Sequence, residues 1–282
     1  MPGASMAGQE MQTTGAATIV ASGFVAPTDT HALNPKPPLP LAPGQVDVWL
    51  TALAGIGDER QLAYRRLLDA PERERWQRFL VEGARLQYLV GRALVRTTLS
   101  RYAGVPEDAW RFEPNRHGRP YISQPAEFRD LYFNLSHTEG LVACAVSRSS
   151  DVGVDVENIQ RELDTLALAP TVFAPMEVAS LWQCRPEERS HYFFSYWTLK
   201  EAYIKARGMG LALALDGFWF DLGGAAPRVT FGDRCPDQAG RWRFRQFMPT
   251  PQHKLAVAVS PPAGQEPDIR VQWVVPPAGQ DR

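Results

Sequence analysis

The stretch "LYFNLSHTEGLVACAVSRSSDVGVDVENI", Leu131 to Ile159, decides how the rest of the chain is read. It reads as strand, loop, strand, followed by a further strand, "DVGVDVENI", that ends in polar residues. Helical patterns lie on either side. Upstream, "APERERWQRFLVEGARLQYLVGRALVRTTLSRYAG" is helical, with Gly83 and Gly91 as weak interruptions and Gly104 as the stop. Downstream, about Pro186 to Arg207 is helical, and "LDGFWFDL" and "KLAVAVS" are strands. "QVDVWLTAL" is strand-like, and "RFEPNRHGRPYIS" holds turn residues and then a short strand. "LVACAVS" at 141–147 is echoed by "LAVAVS" at 255–260, each preceded by a long helix. The fold class is therefore α/β (α+β), with a pseudo-duplication into two similar halves on one chain.

Residues 1–44 are rich in Ala, Thr, Gly and Pro and carry only Glu10, Asp29 and Lys36 as charges. Such a segment has little to pack and reads as a disordered extension. The first half is then 45–153 and the second 154–260. The tail, 261–282, has "PPAGQ" twice around a candidate short strand, "IRVQWVV".

The chain has 282 residues, 44% hydrophobic and 22% charged, which is ordinary for a soluble globular protein. Thirty basic residues against 31 acidic ones leave a formal charge of −1, so there is no bulk attraction to nucleic acid or anionic membrane. No apolar run reaches the ~18 residues of a membrane span, and the start, "MPGASMAGQE", lacks the pattern of a secretory signal. Three cysteines without a CxxC argue against a disulfide framework or zinc site and fit a reducing cytoplasm. Cys144 reads as a small buried residue.

In "GVDVE", Val154 and Val156 alternate with Asp155 and Glu157, so on a strand both carboxylates project to one side. That pattern serves an edge strand with one wet face. It also serves a magnesium site, since Mg²⁺ takes carboxylates together with substrate phosphates. In "WTLKEAYIKARG", Trp197, Glu201 and Lys205 share one helix face, while Tyr192, Tyr196, Leu199 and Tyr203 form the core stripe. Glu201 and Lys205 are either a surface i, i+4 pair, worth ~0.5 kcal/mol, or part of a site. "FNLSHTEG" offers Ser136 and His137, as turn residues or as donors to phosphate oxygens. "NRHGRP" holds Arg116, His117 and Arg119 around Gly118, and "PERERWQRF" adds Arg73, Arg75 and Arg78; both are solvated surfaces or presented cations.

Taken together and in this order, "PERERWQRF", "YLVGRALVR", "GRPYIS", "FNLSHT", "GVDVE" and "WTLKEAYIKARGMGL" resemble the Sfp-type 4′-phosphopantetheinyl transferases. These stretches span about 71–211, roughly half of the chain. The specific combination is G-[IV]-D-[IV]-E followed, forty residues after Glu157, by W-x-x-K-E-x-x-x-K, with F-N-x-S-H ahead of both.

The resemblance implies a pseudo-dimer with the active site between its halves. It implies transfer of the 4′-phosphopantetheine arm of coenzyme A to a serine of an apo acyl or peptidyl carrier protein, releasing adenosine 3′,5′-bisphosphate. It also implies Mg²⁺, held by Asp155 and Glu157 with Glu201 as ligand, base or both. Lys205 would contact the pyrophosphate and the leaving group. Ser136, His137 and Arg119 would contact coenzyme A phosphates, and Arg73 and Arg75 the 3′-phosphate end. A monomer is expected, because both halves lie on one chain and the length disfavours the short, trimeric holo-acyl-carrier-protein synthases. The alternatives are a metal-dependent phosphohydrolase or nuclease using the same acids, and a non-catalytic carrier-protein binder. Fatty-acid, polyketide, nonribosomal-peptide and lysine-pathway carriers all remain open as partners.

Overall fold

The computed structural model describes residues 38–148 and 150–278. The first part of the chain forms β1 (Gln45–Ala52), α1 (Asp58–Leu67), α2 (Ala70–Gln77) and α3 (Glu82–Ala103). A small hairpin, β2 (Arg111–Pro114) and β3 (Pro120–Gln124), leads into β4 (Leu131–Thr138) and β5 (Leu141–Arg148). The second part contains β6 (Asp151–Asn158), α4 (Thr165–Val172), α5 (Pro175–Gln183) and α6 (Pro186–Arg207). It continues with β7 (Phe218–Asp221), β8 (Arg228–Phe231), β9 (Arg243–Thr250), β10 (His253–Ser260) and β11 (Asp268–Trp273).

Two sheets carry the architecture. One has the order β11-β1-β5-β4 and the other β6-β10-β9. β5 and β10 are central in their sheets, and both are apolar without alternation because both of their faces are covered. One face of each sheet meets the other sheet: Val46, Val48, Leu50, Leu141, Ala143 and Ala145 pack against Val152, Val154, Val156, Leu255, Val257 and Val259. The opposite faces take the long helices. α3 lies on Trp49, Val142, Cys144 and Val146, and α6 lies on Phe244, Ala256 and Ala258. The layers therefore run α3, sheet, sheet, α6. Both helices span 22 residues and stop at a left-handed glycine, Gly104 (φ 69°) and Gly208 (φ 60°).

The helical stretch expected as one element is two. It breaks at 78–81, just ahead of Gly83 and far from Gly91, with Val81 extended and Leu80 95% exposed. The Arg85 guanidinium holds the break by donating to Phe79 O at 2.7 Å, while Asp69 and Glu72 form a capping box at the other end of α2. Gly91 instead serves packing, because a Cβ there would lie 3.1 Å from Leu135 Cδ2.

The folded body is longer than 45–260 at both ends. Leu39 N donates to Arg101 O at 2.7 Å and Leu41 is buried. The tail strand forms, and it belongs to the first sheet: β11 pairs parallel to β1, and Tyr64 donates to Pro276 O at 2.7 Å. Without β11, β1 would be an open edge, and composition alone does not show that need. The expected disordered extension falls largely on residues 1–37, outside the described residues.

Candidate active site

The chemistry gathers where β6 meets α6. Gly153 makes that approach possible: a Cβ there would stand 2.0 Å from Ala202 O and 2.5 Å from Ala206 N, both main-chain atoms. With the helix seated on Gly153, the next residue on the same side of β6, Asp155, faces Lys205. Lys205 Nζ lies 2.6 Å from Asp155 Oδ1 and donates to Ser136 Oγ at 2.9 Å, and Ser136 in turn donates to Asp155 Oδ1 at 2.9 Å. One helical turn apart, Glu201 and Lys205 form no ion pair, since the ammonium reaches across to β6 instead.

Glu157, two residues beyond Asp155, accepts from Trp197 Nε1 at 3.1 Å and lies 3.5 Å from Arg161. Trp197, Glu201 and Lys205 thus present one side of α6 to the two strand carboxylates, as their spacing requires. Burial and the negative charge of Asp155 hold Glu157 above the ordinary glutamate range. Burial, then Asp155, and more weakly Glu157, raise Glu201, while Lys205 opposes them. Asp155 raises the proton affinity of both glutamates, which places the three carboxylates in one locality.

Among the described residues, no three or more His, Cys, Asp and Glu side chains are already gathered to hold a metal. The residues nevertheless fit a hard divalent cation. Asp155 Oδ2 is buried without a hydrogen-bond partner, while Oδ1 is held by Lys205 and Ser136. A buried carboxylate oxygen with no donor is expensive, and oxygen-lined acids beside it supply the donor set such an ion prefers.

His137 is exposed. Desolvation, then Lys205, and to a smaller extent Arg75, push its imidazole below the usual value, while Asp155 opposes them. Arg75 therefore belongs to this neighbourhood; its guanidinium lies 5.5 Å over the Tyr88 ring. Arg73 turns away and donates to Leu68 O at 3.1 Å. Arg119 is bound to main chain: it donates to Ala206 O at the end of α6 and to Val152 O at 3.2 Å. Asn115 closes the same helix end by donating to Gly208 O at 2.9 Å.

Three features escaped the sequence reading. Lys200 is neither solvated nor in the site; it is fully buried, paired with Glu177 at 2.8 Å, and donates to Leu215 O and Phe218 O. Its position between Tyr196 and Tyr203 on the core stripe was the available signal. Thr138 donates to Glu157 Oε2 at 3.4 Å, and Asn134 accepts from Val154 N at 3.0 Å. Their alternation with Leu135 and His137 in "FNLSHT" puts both on the face of Ser136.

The comparisons with known proteins cover both halves. Residues 151–259 match the family model of the 4′-phosphopantetheinyl transferase superfamily, and residues 58–149 match that of the 4′-phosphopantetheinyl transferase N-terminal region. The 4′-phosphopantetheinyl transferase HetI of Nostoc sp. is 35% identical over 184 residues, 64% of this chain and 77% of HetI. The 4′-phosphopantetheinyl transferase Sfp of Bacillus subtilis is 28% identical over 207 residues, 73% of this chain and 88% of Sfp. A phosphopantetheinyl transferase of Thraustochytrium sp. is 26% identical over 245 residues, 82% of this chain and 84% of that protein.

Proposed function

The chain belongs to the Sfp-type 4′-phosphopantetheinyl transferases, and we propose that it moves the 4′-phosphopantetheine arm of coenzyme A onto a serine hydroxyl of an apo acyl or peptidyl carrier protein. Coenzyme A is the substrate and adenosine 3′,5′-bisphosphate the leaving group. The observation that carries this reading is the meeting of Lys205 with Asp155 and Ser136, beside Glu157 and Glu201, in a chain matched along both halves.

The reaction joins a hydroxyl oxygen to phosphorus and breaks a pyrophosphate bond. Asp155, Glu157 and Glu201 are the residues that would hold Mg²⁺; a bound magnesium ion supplies charge neutralisation and orientation of the phosphate oxygens. Glu201 takes the hydroxyl proton, directly or through water. What supports this is a carboxylate whose proton affinity is raised by burial and by Asp155, and which accepts no hydrogen bond from the described residues. Lys205 steadies the charge that collects on the departing phosphate. Ser136, His137 and Arg75 supply donors to phosphate oxygens, and the crowding of cations at His137 supports that role. Arg73 and Arg119 stand further from it, since both donate to main-chain carbonyls. The chain works as a monomer in the cytoplasm, a reading supported by three free cysteines and by both halves lying on one chain.

The test is incubation with coenzyme A, Mg²⁺ and an apo carrier protein, read by intact mass. A gain of one phosphopantetheine arm on the carrier is expected. Metal-dependent release of phosphate with no gain on any carrier of a broad panel would overturn the proposal.

A further inference from the structure

The edge strands β4 and β6 of the two stacked sheets lie side by side, and among the described residues no backbone ladder joins them. The open edge of β6 is served by side chains instead. Val154 N donates to Asn134 Oδ1 at 3.0 Å, Val156 N to Ser136 Oγ at 3.2 Å, and Asn158 N to Thr138 Oγ1 at 3.1 Å. One step before these rungs, Val152 O accepts from Arg119 at 3.2 Å. Three N–H groups and one carbonyl of this edge are therefore satisfied by residues of the first half.

The three rungs keep one constant offset, two residues apart on both strands. Asn134, Ser136 and Thr138 are all more than nine-tenths buried, at 7%, 4% and 7% exposure. A buried N–H without a partner is costly, and only alternate N–H groups face this edge. A slip of β6 by one residue would present the wrong set and leave the rungs unfilled. Side-chain rungs also explain how the sheets can stack face to face, since a main-chain ladder would have merged them into one.

Asp155 lies between the first and second rungs and Glu157 between the second and third. Two rung hydroxyls also donate to these carboxylates, Ser136 to Asp155 and Thr138 to Glu157. We infer that Asn134, Ser136 and Thr138 form a rack that sets the register of β6, making Asn134 and Thr138 positioning residues for the acids Asp155 and Glu157. The inference rests on the reading of those acids as metal ligands. Hydrogen-bonded supports of ligating carboxylates are worth about 10–100-fold in metal affinity or activity.

The experiment compares wild type, Thr138→Val, Thr138→Ser and Asn134→Ala. Amide exchange by NMR reads the rungs, and calorimetric titration of Mg²⁺ in the presence of coenzyme A reads the acids. Asn158 N–H should be protected in wild type and exchange faster in Thr138→Val, with Val154 N–H unchanged. Asn134→Ala should show the reverse pattern. Thr138→Val should weaken Mg²⁺ binding about tenfold or more, and Thr138→Ser should restore both readouts. Mg²⁺ affinity within twofold of wild type in both Thr138→Val and Asn134→Ala would overturn the inference. So would unprotected Val154 and Asn158 amides in wild type, which need no variant to fold. Wild type that binds no Mg²⁺ with coenzyme A would instead remove the ligand assignment, and the exchange data would still judge the rack.

Discussion

Glu201 and Lys205 sit one turn apart on α6, yet removing each should move stability in opposite directions. Lys205 Nζ is 2.6 Å from Asp155 Oδ1, with the carboxylate side chain 5% and the lysine side chain 27% exposed. Removing one partner of a fully buried pair costs about 3–5 kcal/mol. The exposure of the lysine end reduces that to ~2 kcal/mol for Lys205→Met, or ~4–8 °C in Tm for a fold of this size. Glu201 is raised above its unfolded value by burial and by Asp155. Such a group favours the folded state while protonated and loses that contribution as pH rises through the folded value. In metal-free buffer near pH 8, wild type therefore carries a penalty that Glu201→Gln lacks. That variant should gain ~1 kcal/mol, about 2–4 °C. Both should lose activity, Glu201→Gln by about 10²–10⁴ in kcat with coenzyme A affinity kept. Lys205→Met should weaken coenzyme A binding as well. Differential scanning calorimetry, binding calorimetry and transfer to an apo carrier measure all three. Shifts of the same sign, or both below ~0.5 kcal/mol as a surface ion pair would give, would refute the geometry.

Gly153→Ala should destabilise by at least ~2 kcal/mol, since the new methyl meets the main chain of α6 rather than a movable side chain; a Tm within a degree of wild type would contradict it. Turnover should rise with pH along a limb above the ordinary glutamate value, because Glu157 and Glu201 are both raised and act when ionised. A pH–rate profile that is flat on the acid side would count against their role. Burial pushes Lys254 down to about 7; its ammonium touches His191 and Ser195. Between about pH 7 and 10 the unfolded chain then binds more protons than the folded one, so stability climbs with pH. Lys254→Met should flatten that climb and raise Tm at neutral pH, and an unchanged pH slope would show that Lys254 is not the source.

The fold was legible where pattern and burial agree. α6 runs from Pro186 to Arg207, as its periodicity requires, because Tyr196, Leu199 and Tyr203 do form the buried stripe. β5 and β10 were visible as twin apolar runs because each is an interior strand of its sheet. What stayed hidden were decisions made by partners far away in sequence. Nothing local in Asp268–Trp273 says that β1 needs a parallel neighbour. Nothing local at Phe79 and Leu80 says that a helix of strong formers must break there. Both are settled by tertiary pairing, which overrides propensity.

In the site, periodicity told which way each side chain points but not what it meets. Asp155, Glu157, Glu201 and Lys205 stand out in the sequence because a strand and a helix each carry a polar face. Of the two readings of Glu201 and Lys205, the surface pair fails, since a carboxylate fifty residues away lies closer to the ammonium than the one four residues away. Arg119 makes the same point from the other side. A cation beside a glycine turn reads as a phosphate ligand, and its guanidinium does seek negative charge. The charge that it finds is the carbonyl end of α6, where Ala206 O and the helix dipole offer a fixed partner, with the Asp151 carboxylate 3.9 Å away. An arginine engaged with that carbonyl and with Val152 O binds the first half to the helix and strand that carry the acids. Its removal should therefore disturb Lys205 and Asp155 together, through the register of α6 on β6, and not coenzyme A affinity alone.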